Sequence, residues 1–550
     1  MANYLRNAPS ARATPQSQPI PGREERMTAN SAGGFSFALD HWKRLERFLI
    51  LGSEGGTYYL TEQKLTAENT QCVQACLKEN GKRTVDLIVD VSDKGRAHKT
   101  DPALYALAMA ASPKLADKDT VAHALDVLPK VARIGTHLQH FAAFAQMHRG
   151  WGRSLRRAVA EWFTAKTPEQ LAYQMVKYQS RDGWAMRDLL ILSHPKPAEG
   201  QNALFEWAVK GTPADQLISR GPSWSVPLLV QGFELAKTAE KSKLIGLIRG
   251  CGLTREMIPT EKLTDPDIWA ALLEEMPITA MIRNLGNMSK VGLLKPMSDA
   301  SKHVCAKLRD VEAIRKSRVH PIAVLLAADT YGAGHGFKGK GEWTPVPQVI
   351  DALDDAFYLA FENAPSTGKR FYLGLDISGS MWRGSTISGT AQLAAGAAGG
   401  AMAMVTVKKE SEYYAAGFTA GVAGGYHNSA MTPISLSPKM RLDDVIKNMR
   451  ALEARMGSTD CALPMLDALA KNLSVDVFII YTDNETWTGM VHPVQALETY
   501  RQKMSIPAKL VVCGMTSGGF SIADPNDAGM LDIVGFDASV PPVISNFVVS

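Results

Sequence analysis

Residues 371–381 close an apolar run with Asp376-Ile377-Ser378-Gly379-Ser380. One carboxylate and two hydroxyls on so short a loop are hard oxygen donors, the kind of ligand a cation such as Mg²⁺ takes. Alone, the pattern reads as well as a serine-rich turn capping a helix. Two later stretches supply more donors. Gly457-Ser458-Thr459-Asp460 precedes an apolar helical run, and the apolar run 477–482 again ends in an acid, Asp483. Asp376, Ser378, Ser380, Thr459 and Asp483 would then offer five oxygens from three loops. Carboxylates around Mg²⁺ can also serve phosphoryl transfer or hydrolysis. The chain has no Gly-x-x-x-x-Gly-Lys-Ser/Thr loop for a nucleotide and no second metal cluster. Binding is therefore the preferred reading over catalysis, and a site that holds no metal stays open beside it.

A second group of residues suits a polyanion. Arg149, Arg153, Arg156 and Arg157 stand at i, i+4, i+7 and i+8, and share one face if the helix begins early enough. Lys177 and Arg181 repeat the i, i+4 spacing, and His194 follows in Ser193-His194-Pro195-Lys196. Trp151, Trp162, Tyr178 and Trp184 lie among these cations. Phosphates would pair with the charge and bases could stack on the rings, as RNA recognition requires. The alternative is a solvated helix face with its tryptophans in the core.

Both groups need a scaffold. The chain has 550 residues, 45% hydrophobic and 21% charged, which is a globular composition too long for one core. The formal charge of +5 is uneven: residues 364–550 hold 14 Lys/Arg against 16 Asp/Glu, leaving net +7 on the rest. A polyanion should meet the N-terminal part. Six scattered cysteines without a CxxC pair suggest free thiols and no zinc. No leader and no long apolar span are evident, so a cytoplasmic protein without membrane contact is expected.

Residues 1–35, rich in Pro, Ser, Ala and Asn, read as a flexible tail. From 36 to 363 the periodicity predicts helix after helix, including 42–49, 67–79, 101–112, 117–131, 152–165, 168–178, 186–193 and 298–316. Short helices with short turns predict an α-solenoid of irregular HEAT-like repeats. From 364 to 550 strands at 371–376, 412–418, 475–482 and 508–513 alternate with helices at 388–406, 442–453, 462–473 and 492–504. That alternation predicts an α/β doubly wound sheet whose strand tips carry the oxygen donors.

The five oxygen donors resemble the metal-ion-dependent adhesion site of von Willebrand factor A domains. The resemblance implies that Ser378 and Ser380 bind the cation directly, and Thr459 directly or through water. Asp376 and Asp483 would act mainly through water, leaving one position for an acid from a protein partner. The run 47–59, Arg-Phe-Leu-Ile-Leu-Gly-Ser-Glu-Gly-Gly-Thr-Tyr-Tyr, resembles the opening of the TROVE module. Residues 457–465, 481–487 and 506–517 resemble the C-terminal domain of the Ro autoantigen family. The likeness spans residue 36 to the C-terminus and is of bacterial type. It implies a ring of helical repeats closed by the von Willebrand A domain, in a monomeric ribonucleoprotein without catalytic activity. Small noncoding Y RNA would bind an outer basic surface through Lys177, Arg181 and His194. The 3′ ends of misfolded RNA would enter a central hole, in RNA quality control or decay with a 3′-to-5′ exoribonuclease. Competing readings are a cation-dependent protein-interaction scaffold with incidental RNA binding, and a Mg²⁺-dependent nuclease using Asp376 and Asp483.

Overall fold

A computed structural model describes residues 13–30, 32–52, 70–97, 99–221, 224–336, 341–361, 366–382, 393–420, 429–452, 459–484, 486–515 and 520–550. Residues 53–59 of the TROVE-like run lie outside it, as do Gly457, Ser458, Glu485, Thr516 and Ser517 of the Ro-like segments.

Helices fill the chain from His41–Leu51 to Pro347–Leu359. Their starts follow local chemistry: Asp40, Asp117, Thr167, Ser298 and Asp310 each accept a hydrogen bond from a first-turn amide. Their faces follow periodicity. In Arg153–Thr164, Leu155, Ala158, Val159, Trp162 and Phe163 are buried, at i, i+3, i+4, i+7 and i+8. Successive helices pack on their neighbours, as a solenoid requires. Three expected helices differ. The one expected at 117–131 is two, Lys118–Asp126 and Leu128–Val131. The one expected at 67–79 is Gln71–Asp93, broken at Asn80, whose backbone is extended. The one expected at 298–316 is two helices, because Asp310 restarts the chain by capping Ala313 N–H.

The helical array closes on itself. Near its end, Arg318 donates to the carbonyl of Asp93 (3.4 Å), and His320 Nε2 lies 3.4 Å from the carbonyl of Arg96. Both ends are then fixed to the C-terminal domain. Arg47, in the first helix, pairs with Asp532 at 2.6 Å and donates to Phe520 O at 2.8 Å. Phe357 and Phe361, at the other end, pack their rings against Phe536 at 5.9 and 6.1 Å.

The strands, in chain order, are β1 (Met27–Ala29), β2 (Phe35–Ala38), β3 (Ser180–Arg181), β4 (Trp184–Ala185), β5 (Arg370–Asp376), β6 (Glu412–Ala420), β7 (Ser429–Pro433), β8 (Val477–Thr482), β9 (Lys509–Gly514), β10 (Phe520–Ser521) and β11 (Met530–Val534). Six form the C-terminal sheet in the order β11-β9-β8-β5-β6-β7, parallel except for β7. Side chains alternate between its faces. Phe371, Leu373 and Leu375 join the core that runs through the helical ring, while Tyr372 faces a second core with Phe418, Phe478 and Ile480. Gly374 admits the helix Leu463–Ala470: a Cβ there would lie 2.7 Å from Pro464.

The tail expected at 1–35 is corrected from residue 13 onward. The described residues 13–38 cross the C-terminal domain as a strap. β2 joins β1 to β10, Arg23 pairs with Glu498 and Asp524, and Arg26 pairs with Asp524. The polar composition that suggested mobility instead supplies hydrogen bonds to the domain edge.

Candidate cation site and RNA-facing surface

β5 and β8 are parallel neighbours, with Leu375 opposite Tyr481. This register brings their C-terminal tips side by side, and each tip carries an acid. Asp376 is fully buried; its Oδ1 accepts the Ser378 amide at 2.9 Å and its Oδ2 accepts the Thr482 hydroxyl at 2.8 Å. That Asx-type bond turns the chain so that the Ser378 and Ser380 hydroxyls meet at 3.2 Å. Thr459 and Asp483 are buried as well. Burial, and then the charge of Asp483, push the Asp376 carboxyl up to about 7. Two acids held close in a dry place, beside hydroxyls, form a donor set that a hard cation would neutralise. Among the described residues no three His, Cys, Asp or Glu side chains cluster as a metal site. A cation here would therefore rest on hydroxyls plus two carboxylates, and those five residues fit it.

The basic residues divide. Arg149 does not join the face that the spacing suggested. The helix begins at Arg153, Arg149 is extended, and its guanidinium is buried on Ala111 O (2.5 Å) and Ser154 Oγ (3.1 Å). Burial lowers its pKa, so it is a structural bolt between segments. Arg153, Arg156 and Arg157 are exposed, and Arg157 has Glu161 at 3.7 Å. Trp162 belongs to the core and donates to Ala132 O at 2.6 Å. Trp151 and Trp184 pack on each other at 5.3 Å.

Lys177 ends the helix Pro168–Lys177, and the chain then turns through the β3–β4 hairpin. Asp182 and Gly183 at its tip both have positive φ, 50° and 78°, the turn that the Asp-Gly pair favours. Asp182 is tied to His140 of the neighbouring helix, and Gln139 donates to Tyr178 O at 2.9 Å. So the hairpin is fixed while Arg181, on it, stays 63% exposed. Lys177 Nζ lies 2.7 Å from Tyr173 Oη and over the rings of Tyr173 and Tyr178. Partial burial works against its charge, yet that hydrogen bond and nearby Tyr178, Tyr173 and Glu256 raise its pKa on balance. His194 caps the helix Met186–Ser193 in the left-handed region and is exposed. Eight residues at 1.5 Å each separate it from the hairpin by about 12 Å. The helix Arg153–Thr164 packs against Met186–Ser193.

Four features escaped the sequence reading. They are the strap, the β3–β4 hairpin, which takes Arg181 off the helix that its i, i+4 spacing from Lys177 suggested, the edge strands β7 and β11, and the Arg47–Asp532 closure. Only the last had a local signal, an arginine on an otherwise apolar helix stripe, since Arg47 is buried with Phe48 and Leu51.

The chain matches the TROVE domain family over residues 28–220 and 251–333, and the Ro60 vWA domain family over 370–548. It is 37% identical over 528 residues to the RNA-binding protein RO60 of Deinococcus radiodurans, covering 95% of this chain and 96% of that one. It is 34% identical to the RNA-binding protein RO60 of Caenorhabditis elegans, covering 94% and 89%. The crystal structure of the Deinococcus radiodurans Ro (RSR) protein superposes with a TM-score of 0.70 at 38% identity, covering 92% and 99%.

Proposed function

Because this chain belongs to the Ro60 family, joining a TROVE domain to a Ro60-type von Willebrand A domain, we propose that it is a non-catalytic RNA-binding protein. Small structured Y RNA would lie along the wall formed by Lys177, Arg181 and His194, with Arg153, Arg156 and Arg157 beside it. The observation that carries this reading is the fixed hairpin with an exposed guanidinium, 4.0 Å from Asp182, next to a lysine kept charged between two tyrosines. Fixed exposed cations suit phosphates, because little order is lost on binding. The roughly 12 Å between hairpin and His194 matches a track of a few phosphates. Single-stranded 3′ ends of misfolded RNA would enter the ring, in quality control alongside a 3′-to-5′ exoribonuclease in the cytoplasm. The strand-tip oxygens would hold Mg²⁺, with a protein partner's carboxylate completing its shell.

Filter binding with labelled Y-type RNA tests the wall. Lys177→Glu with Arg181→Glu should weaken binding by about 100-fold at 0.15 M salt, through lost and reversed phosphate contacts. Unchanged affinity at matched salt would sink the assignment. RNA left intact on incubation with the protein and Mg²⁺ is the result expected of a binder, and cleavage lost in Asp376→Ala would favour a nuclease.

A further inference from the structure

The strap reaches the loops that carry the candidate cation ligands. Gln16 is fully buried there. Its amide nitrogen donates to Asp460 Oδ1 and to Val491 O, each at 2.8 Å. Its amide oxygen accepts the Thr486 hydroxyl, and its backbone N–H donates to Gly489 O at 2.8 Å. Both side-chain partners have a further bond, Asp460 within its own loop and Thr486 across to the other. Asp460 Oδ1 also accepts Ala462 N–H at 3.0 Å, and the Thr486 hydroxyl accepts Cys461 N–H at 3.1 Å. One side chain therefore ties the loop after Thr459 to the loop after Asp483. Asn30 adds a second tether, donating to Thr486 O at 2.7 Å. The approach is close: a Cβ on Gly489 would fall 2.2 Å from the Gln16 amide nitrogen.

We infer that Gln16 is a positioning residue for the cation site, setting the distance between the Thr459 hydroxyl and the Asp483 carboxylate from outside the sheet. The inference rests on the cation reading of the five oxygens. Its physical basis is that Thr459 and Asp483 sit on separate loops, with no element of the sheet joining Thr459 to a strand tip. Thr459 itself is held by the second loop, its carbonyl accepting Trp487 N–H at 3.2 Å. Those direct bonds and the Gln16 bridge together order the two loops before a cation binds, and ligands ordered beforehand lose less affinity on binding. The strap's attachment does not depend on Gln16 alone, because Arg23 and Arg26 pair with Asp524 and β2 pairs with β10.

Titration of the full chain with Mn²⁺, following free Mn²⁺ by electron paramagnetic resonance, tests this. The native chain should take up one Mn²⁺, and Asp376→Asn should abolish the uptake. Gln16→Met keeps the side chain's length and removes both amide functions. It should weaken Mn²⁺ binding by about tenfold, the scale seen when a ligand's supporting partner is lost. Its RNA affinity should stay at the native value. Arg23→Ala, which loosens the strap elsewhere, should lower the melting temperature and leave Mn²⁺ affinity alone, separating positioning from general destabilisation. If Gln16→Met does not fold, Gln16→Leu, shorter and equally unable to bridge, is read by the same criterion. Native Mn²⁺ affinity in the bridge variant overturns the inference and leaves the cation site standing. No uptake by the native chain overturns the cation reading, and the inference with it.

Discussion

At the tips of β5 and β8 two like charges are buried together, whereas at the β3–β4 hairpin the charges are held out in water. In the first region the fold has removed Asp376 from solvent and placed Asp483 near it, which makes ionisation costly and a cation welcome. In the second, Arg181 keeps its hydration, and the fold fixes only the backbone beneath it. The contrast teaches what each kind of charge can do. A buried charge is decided by its immediate partners, so its loss is felt in folding or in one tightly specified ligand. An exposed charge contributes little to folding and acts in sum with others, so its loss is felt in the affinity and salt dependence of a large polyanion.

The largest expected effect tests the buried side at the ring closure. Arg47 is 2% exposed and pairs with Asp532 at 2.6 Å. Removing Arg47 leaves Asp532, 16% exposed and still bonded to the Ser521 hydroxyl, without its cation and takes the donor from Phe520 O, so Arg47→Ala should cost about 3 kcal/mol of stability, the low end for a buried pair, read by urea unfolding. Arg157, paired with Glu161 at 79% and 65% exposure, is its counterpart. Arg157→Ala should change stability by less than about 0.5 kcal/mol. Equal losses would break the comparison.

Arg149 sharpens it within a single segment. It lies four residues from Arg153, yet belongs to the buried class because it bonds the carbonyl of Ala111. Arg149→Ala should cost about 1–3 kcal/mol, the penalty of orphaned buried groups. A smaller step follows for its exposed neighbours. Replacing Arg153, Arg156 and Arg157 together by alanine should leave the melting temperature unchanged. RNA affinity should fall by about tenfold, and the slope of log affinity against log salt should flatten by about one to two, at ~0.7–0.9 per phosphate lost.

Arg149 also marks how far the sequence could be read. Its i, i+4 relation to Arg153 is correct as spacing, but spacing says nothing of where a helix starts. Gly150 and Gly152 separate the two, and the helix begins only at Arg153. The places of Asp376 and Asp483 at the ends of β5 and β8 were legible because apolar runs mark buried strands, and an acid ending such a run can lie only at the tip. The central strands β5, β6, β8 and β9 were legible for the same reason. β11 was not, because Asp532 interrupts its apolar pattern to meet Arg47, a partner almost 500 positions away. The strap was misread for a related cause. Gln16, Arg23 and Asn30 look like solvent-loving residues until their partners are in view, and composition carries no information about partners.

The smallest expected effect lies in one helix near the hairpin, where the two kinds of charge stand a turn apart. His140 is tied to Asp182 at the hairpin tip, and also lies 3.7 Å from Asp101. His137 is turned inward. Burial first, then the charges of Arg133 and His140, lower its pKa to about 4. Its value in the unfolded chain is about 6.5. The folded state therefore holds His137 neutral, and the unfolded state takes up a proton once the pH drops below that unfolded value. The stability this group contributes is fully present above about pH 6.5 and is lost progressively as pH falls toward 4. Buried His148 and His492, also lowered by burial, act in the same direction. Urea unfolding at pH 7, 6 and 5 should show stability falling with acid. His137→Gln cannot take up the proton and should fall less steeply, by at most about 1.4 kcal/mol per pH unit, the limit for one proton. An unchanged slope in His137→Gln would mean that burial of this imidazole does not set the pH dependence.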